Sequence, residues 1–156
     1  MKDVVFICTG NVCRSPMAEG FYRHQTKSDE NIRVGSAGIS AFDGQAASQH
    51  SVDVMKQEGI DISNHASRML TPDIVGEASH IFGMTRTHRD AVQMMFPEAR
   101  EKVFVLREFL VGPDADFDLD VSDPIGGSLE EYIRTRNLIK EALDSVTNFV
   151  NETANS

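Results

Sequence analysis

Apolar, β-branched runs recur along the chain, and between them the apolar positions shift to helical spacing. Residues 3–8, built on Val4-Val5-Phe6-Ile7, predict a strand. Residues 16–27 predict a helix with Met17, Phe21 and Tyr22 turned partly inward. Ile32-Arg33-Val34 reads as a second strand that ends in the turn-like run Gly35-Ser36-Ala37-Gly38. Residues 48–58 have helical spacing through Val52, Val54 and Met55. Thr71-Pro72-Asp73 opens a further helix, with proline at the first position, where its missing N–H is harmless. Ile81-Phe82-Gly83-Met84 predicts a third strand, residues 86–95 a helix, and Val103-Phe104-Val105-Leu106 a fourth strand. Ser128 and Glu131 fit a capping box. The helix they open carries Leu129, Ile133, Leu138, Ile139, Leu143, Val146 and Val150 as a one-sided stripe.

Strands that alternate with helices make βαβ units, so the fold class is α/β with a largely parallel sheet. The 156 residues fit one domain over 1–150, with 151–156 as a flexible tail. A domain this long buries roughly 70% of its unfolded-chain surface and folds without disulfides or metal. Cys8 and Cys13 are the two cysteines, too few for a secreted disulfide framework. No apolar run nears the roughly 20 residues that span a bilayer, and Met1-Lys2-Asp3 leads straight into a strand. A cytoplasmic protein without a membrane partner is expected. The formal net charge of −9 argues against a nucleic-acid partner. It also means that an anionic substrate must be held by local groups rather than by the long-range field. The acidic, aromatic-poor stretch 112–124 predicts a long loop of the kind that often carries function.

The run Cys8-Thr9-Gly10-Asn11-Val12-Cys13-Arg14-Ser15 lies between the first strand and the first helix. A phosphate dianion needs several converging N–H donors, and a tight loop before a helix N-terminus supplies them. Gly10 permits a backbone shape that most residues resist, and Asn11 tolerates the left-handed region. Arg14 can grip two phosphate oxygens through its planar fork. The same donors favour a thiolate over a thiol at Cys8, and a thiolate can attack phosphorus. Ser15 can stabilise that thiolate as it leaves, or cap the helix at Pro16. A buried structural cysteine is the plain alternative for Cys8 alone, but not for the whole Cys-x5-Arg-Ser run at a strand–helix junction. A Walker-type loop lacks its Gly-Lys-Ser/Thr, and two cysteines without a suitably spaced histidine pair make a poor zinc site. The leaving group needs an acid. Asp123 fits best: Pro124 fixes the geometry of the residue before it, and Gly126 and Gly127 let the loop come close. Asp118 and Asp120 are its local rivals.

These motifs resemble those of the low-molecular-weight protein tyrosine phosphatases. The resemblance is carried by residues 4–19 with Cys8, Arg14 and Ser15, by Ser36-Ala37-Gly38, by Gly59-Ile60-Asp61-Ile62-Ser63-Asn64-His65, and by Asp123-Pro124, in the family's order. It implies a single domain with a four-stranded parallel sheet flanked by helices, and a metal-free, cofactor-free hydrolase. Its substrate would be a phosphorylated protein or small phosphomonoester, cleaved through a phosphocysteine intermediate. It further implies Cys8 as nucleophile, Arg14 as phosphate and transition-state binder, and Asp123 as general acid and then base. The loop 9–15 would bind phosphate, and Asn11, Ser36 and His65 would form a network that supports it. The residues alone read His65 as a solvated or capping histidine; His24, His50, His80 and His88 are expected to be non-catalytic. Cys13 reads as a small loop residue; the resemblance offers it as a reversible disulfide partner of Cys8.

The sequence departs from the tyrosine-specific pattern at the substrate wall. Ile125 and Gly126 stand where many members carry tyrosines, while Phe42 keeps an aromatic on the opposite side. Thr85 after Met84, and the Ile125-Gly126-Gly127 run, resemble the bacterial protein-arginine phosphatase branch. That branch typically has threonine where this chain has Val12, and an aliphatic residue is usual in tyrosine-type enzymes. A valine offers a flat ring an apolar wall, so phosphotyrosine is the expected substrate and phosphoarginine the alternative. A thioredoxin-linked arsenate reductase uses a similar loop but needs cysteines further along the chain, and none follows Cys13. A non-catalytic phosphate- or protein-binding module would not need Cys8, Arg14 and Asp123 together.

Overall fold

The computed structural model describes residues 1–110 and 118–153. Four parallel strands, β1 (Lys2–Cys8), β2 (Ile32–Gly38), β3 (His80–Gly83) and β4 (Val103–Val105), lie in the order β2-β1-β3-β4. Among the described residues there are five α-helices: α1 (Arg14–Gln25), α2 (Gln49–Lys56), α3 (Pro72–Glu77), α4 (Arg86–Met95) and α5 (Leu129–Thr153). Alternate residues of β1 face opposite sides of the sheet. Val4, Phe6 and Cys8 join a core with Met17, Tyr22, Met55, Phe82, Leu106, Ile139 and Leu143. Val5 and Ile7 join a second core with Leu70, Val75, Ile81, Val92 and Val103. Both faces are buried, which is why β1 reads as an unbroken apolar run rather than an alternating one.

β2 is longer than its sequence suggests. Gly35-Ser36-Ala37-Gly38 is not a turn: it pairs with β1 from Val5↔Gly35 to Cys8↔Gly38. Its small residues serve close approach. A Cβ on Gly38 would stand 2.6 Å from the Thr9 carbonyl oxygen, and one on Gly35 would stand 2.7 Å from Arg68 Nη2. α5 also runs past position 150. Val150 is buried and Thr153 Oγ1 lies 2.9 Å from His80 Nε2, so α5 continues through Asn151, Glu152 and Thr153. Residues 154–156 lie outside the described residues, as does 111–117 of the expected functional loop. Ser128 Oγ accepts from Glu131 N, as the capping pattern requires.

Strand order reverses around β1. The chain passes from β1 to β2 on one side, then crosses to β3 on the other. In open parallel sheets, ligands bind beyond the carboxyl ends of the strands at such a switch point. Cys8 is the last residue of β1.

Candidate active site

The loop after Cys8 is held on three sides. Ile39 N donates to the Cys8 carbonyl at 3.0 Å, Ser40 N to that of Thr9 at 2.9 Å, and Ser48 N to that of Val12 at 2.8 Å. The left-handed residue is Asn11, with φ of 56°, and not Gly10. An asparagine accepts that conformation more readily than most side chains, and here its side chain adds the reason.

Asn11 organises the loop through both ends of its amide. Its Oδ1 accepts from Arg68 N at 2.9 Å, which fixes the amide orientation. Its Nδ2 donates to Ser15 Oγ at 2.8 Å and to Ser36 Oγ at 2.9 Å. Ser36 Oγ in turn donates to Glu19 Oε1. Ser15 Oγ, already an acceptor from Asn11, lies 2.9 Å from Cys8 Sγ with its own proton free to face the sulfur. Asn11 N donates to the same sulfur at 3.2 Å. The network therefore meets at Cys8, which is buried, accepts from Asn11 N and shares a hydrogen bond with Ser15 Oγ. His65 Nε2 lies 2.7 Å from the Asn11 carbonyl oxygen. Ser36 and His65, which the resemblance names as loop support, thus both contact Asn11.

α1 begins at Arg14, two residues before Pro16, so Ser15 sits inside its first turn and aims at the thiol instead of capping the helix. Arg14 is 4% exposed. Its Nη1 donates to the Val121 carbonyl at 2.8 Å, and its Nη2 lies 3.6 Å from Asp123 Oδ2. Its Nε is buried without a hydrogen-bond partner. A guanidinium with a free buried N–H at a helix N-terminus is a donor in want of an anion. Asp123 stays partly exposed, and its Oδ1 accepts from Ile125 N at 3.1 Å. Of its rivals, Asp120 is bonded to Arg86 through the backbone N–H and the guanidinium, and Asp118 accepts from Asp120 N. Arg86 holds the Asp120 carboxyl below its ordinary range.

The apolar residues read as substrate walls differ in exposure. Val12 is half-buried, whereas Phe42 and Ile125 are 75% and 61% exposed. Phe42 follows the segment tied to the loop at Ser40, and Ile125 follows the segment tied to Arg14 at Asp123. Cys13 and Cys8 are free thiols. Cys13 Sγ donates to Ser48 Oγ at 3.4 Å and lies 3.5 Å from the Tyr132 hydroxyl. Burial, and then Cys13, push the Tyr132 hydroxyl up to about 12. Among the described residues no group of three or more His, Cys, Asp or Glu side chains is placed to hold a metal ion, and no helix is long and apolar enough to cross a membrane.

One contact escapes the sequence reading. His88, grouped with the non-catalytic histidines, is buried, and its Nε2 lies 3.0 Å from Thr9 Oγ1. The signal for it is Thr85 three residues earlier, the N-cap of α4.

Residues 3–156 match the sequence model of the family described as low molecular weight phosphotyrosine protein phosphatase. The chain is 38% identical over 141 residues to a protein-arginine-phosphatase of Geobacillus stearothermophilus, covering 90% of each. It is 32% identical over 145 residues to a probable low molecular weight protein-tyrosine-phosphatase, EpsP, of Ralstonia nicotianae, covering 93% of each. It also superposes on a solved arginine phosphatase, YwlE, a cysteine-to-serine mutant with a phosphorylated active-site serine. The TM-score is 0.87 at 32% identity, over 97% of each chain.

Proposed function

The chain belongs to the low-molecular-weight phosphotyrosine protein phosphatase family, and on that premise we propose that it hydrolyses phosphotyrosine in phosphorylated proteins through a phosphocysteine at Cys8. The observation that carries this reading is the pairing of a doubly hydrogen-bonded Cys8 sulfur with a buried Arg14 whose Nε is unpartnered. The thiolate attacks phosphorus and the bond to the phenolic oxygen breaks. Asp123, in its protonated form, gives its proton to that leaving oxygen. Ser15 and Asn11 N stabilise the sulfur as charge returns to it in the second step. There a water attacks phosphorus, Asp123 takes its proton, the P–S bond breaks and inorganic phosphate leaves. Arg14 spans two equatorial oxygens throughout. The serine phosphate in the YwlE mutant supports a covalent intermediate at the corresponding position.

Val12, Phe42 and Ile125 supply apolar walls for a phenol ring, which favours phosphotyrosine. The identity to a protein-arginine-phosphatase and the presence of Thr85 favour phosphoarginine as the second reading. Turnover of phosphotyrosine and phosphoarginine peptides by the wild type and by Val12→Thr decides between them. The wild type is expected to prefer phosphotyrosine, with Val12→Thr moving the preference toward phosphoarginine. A wild type active on phosphoarginine alone overturns the first reading. Cys8→Ser is expected to lose turnover while keeping its fold and its phosphate binding.

A further inference from the structure

His88 is a buried titratable side chain that touches the phosphate loop at Thr9 yet takes no part in the chemistry above. Thr85 Oγ1 accepts from His88 N at 3.1 Å as the N-cap of α4, and the same oxygen lies 3.0 Å from His88 Nδ1. On the far side of the ring, Nε2 lies 3.0 Å from Thr9 Oγ1. Both ring nitrogens are therefore engaged by hydroxyls, one from the start of α4 and one from the residue that follows Cys8.

The charged groups that face the ring are Arg14, Asp123 and Asp120. Burial comes first and Arg14 second in depressing the imidazole to about 4, and the two aspartates oppose them. The ring stays neutral through the physiological range. A neutral imidazole has one donor and one acceptor nitrogen, so it can join two hydroxyls into a single directed chain. It does so without adding a second cation beside Arg14.

Thr9 is pinned at two points, its carbonyl by Ser40 N and its side chain by His88. Two residues further on, Asn11 N aims at the Cys8 sulfur. Rotation of Thr9 would swing the intervening peptide planes and move that donor. We propose that His88 is a positioning residue for the phosphatase reaction: by bridging Thr85 and Thr9 it fixes the first turn of the phosphate loop against α4. The inference rests on the phosphatase reading, and it does not depend on which phosphorylated side chain is cleaved.

The test compares His88→Asn, His88→Gln, Thr9→Val and the double variant Thr9→Val/His88→Asn, with p-nitrophenyl phosphate as substrate and inorganic phosphate as inhibitor. Wild-type turnover comes first, and its absence is a failure of the phosphatase reading alone. Asparagine can satisfy Thr85 but is too short to serve Thr9, whereas glutamine reaches further. His88→Asn is expected to lower kcat/KM by roughly 10–100-fold, the scale of a small misplacement in a preorganised site, and to weaken phosphate inhibition. His88→Gln should recover part of both. Thr9→Val, on an exposed residue, should fold normally and show the same loss, and the double variant no further loss. A Thr9→Val enzyme with wild-type turnover, or losses that add in the double variant, would overturn the proposal. Because Thr9→Val keeps the α4 cap intact, that result stands even if a His88 variant fails to fold.

Discussion

Asn11 uses its left-handed backbone and every polar group of its backbone and side chain at once. Its N–H serves the sulfur, its carbonyl meets His65, and its amide joins Arg68, Ser36 and Ser15. Asn11→Ala removes the side-chain bonds and places a Cβ residue of ordinary preference at φ 56°, so it should cost roughly 2–4 kcal/mol. Asn11→Gly should restore the backbone share without restoring activity. Thermal unfolding beside kcat/KM separates the two. His88 gives a second expectation, in pH. Its folded value near 4 lies below the ordinary 6.5, so between these values the unfolded chain binds more protons. The stabilisation is fully present above pH 6.5, falls as pH drops from 6.5 toward 4, and then levels off. His88→Gln should lose that component, read as a shallower fall of Tm over this window; an unchanged slope refutes it. Cys8, Arg14 and Ser15 are legible in one short run because their neighbours in sequence are their neighbours in space. His65 and His88 are not. Their partners lie 54 and 79 residues away, and no periodicity reports a contact of that kind.

Every helix and strand read from hydrophobic spacing is present, within a few residues at its ends. The larger differences occur where a residue type has two physical uses. Small residues at 35–38 suggest a turn, but they extend β2 because Thr9 and Arg68 crowd them. The stripe of α5 shows the converse. Leu129 is partly exposed, while Tyr132, Thr135 and Arg136 are buried beside the expected Ile139, Leu143, Val146 and Val150. Arg136 earns its interior place through Nη1, which donates to the Val54 carbonyl at 3.0 Å and to Gln57 Oε1 at 2.7 Å, tying α5 to the end of α2. Apolar periodicity cannot predict a buried arginine whose partner is a helix-terminal carbonyl. Arg136→Ala should leave that region underbonded at a cost of about 1–3 kcal/mol, lowering Tm by roughly 2–10 °C. Turnover by the folded enzyme should stay at the wild-type level; a loss of turnover without a change in Tm would place Arg136 in the site instead.

The site as a whole is assembled from distant parts of the chain: the loop after β1, the junction of β3 and α4, and the segment that carries Asp123. Asp-Pro marks the proposed acid, Asp123, in the sequence, but what brings it to Arg14 is visible only in three dimensions. Val121 N donates to the Met84 carbonyl at 2.9 Å, and the Val121 carbonyl accepts from Arg14. One residue earlier, Asp120 is gripped by Arg86. These bonds hold the segment two and three residues before Asp123, so if Asp123 is the acid as proposed, Arg86 is expected to act on it by anchoring its loop and not by touching substrate. Arg86→Ala removes the guanidinium bonds and leaves that of the backbone N–H. Both partners are partly exposed, and a surface pair of this kind is worth roughly 0.2–1 kcal/mol, which bounds the loss in rate at about fivefold. The loss should fall on aryl phosphates with poor leaving groups, which need the proton, and spare p-nitrophenyl phosphate and the affinity for inorganic phosphate. Asp123→Asn should show the same dependence on leaving group more steeply, by roughly 10²–10⁴ for the poorest. If Arg86→Ala slows good and poor leaving groups alike, the segment anchors the phosphate loop through Arg14 and not the acid.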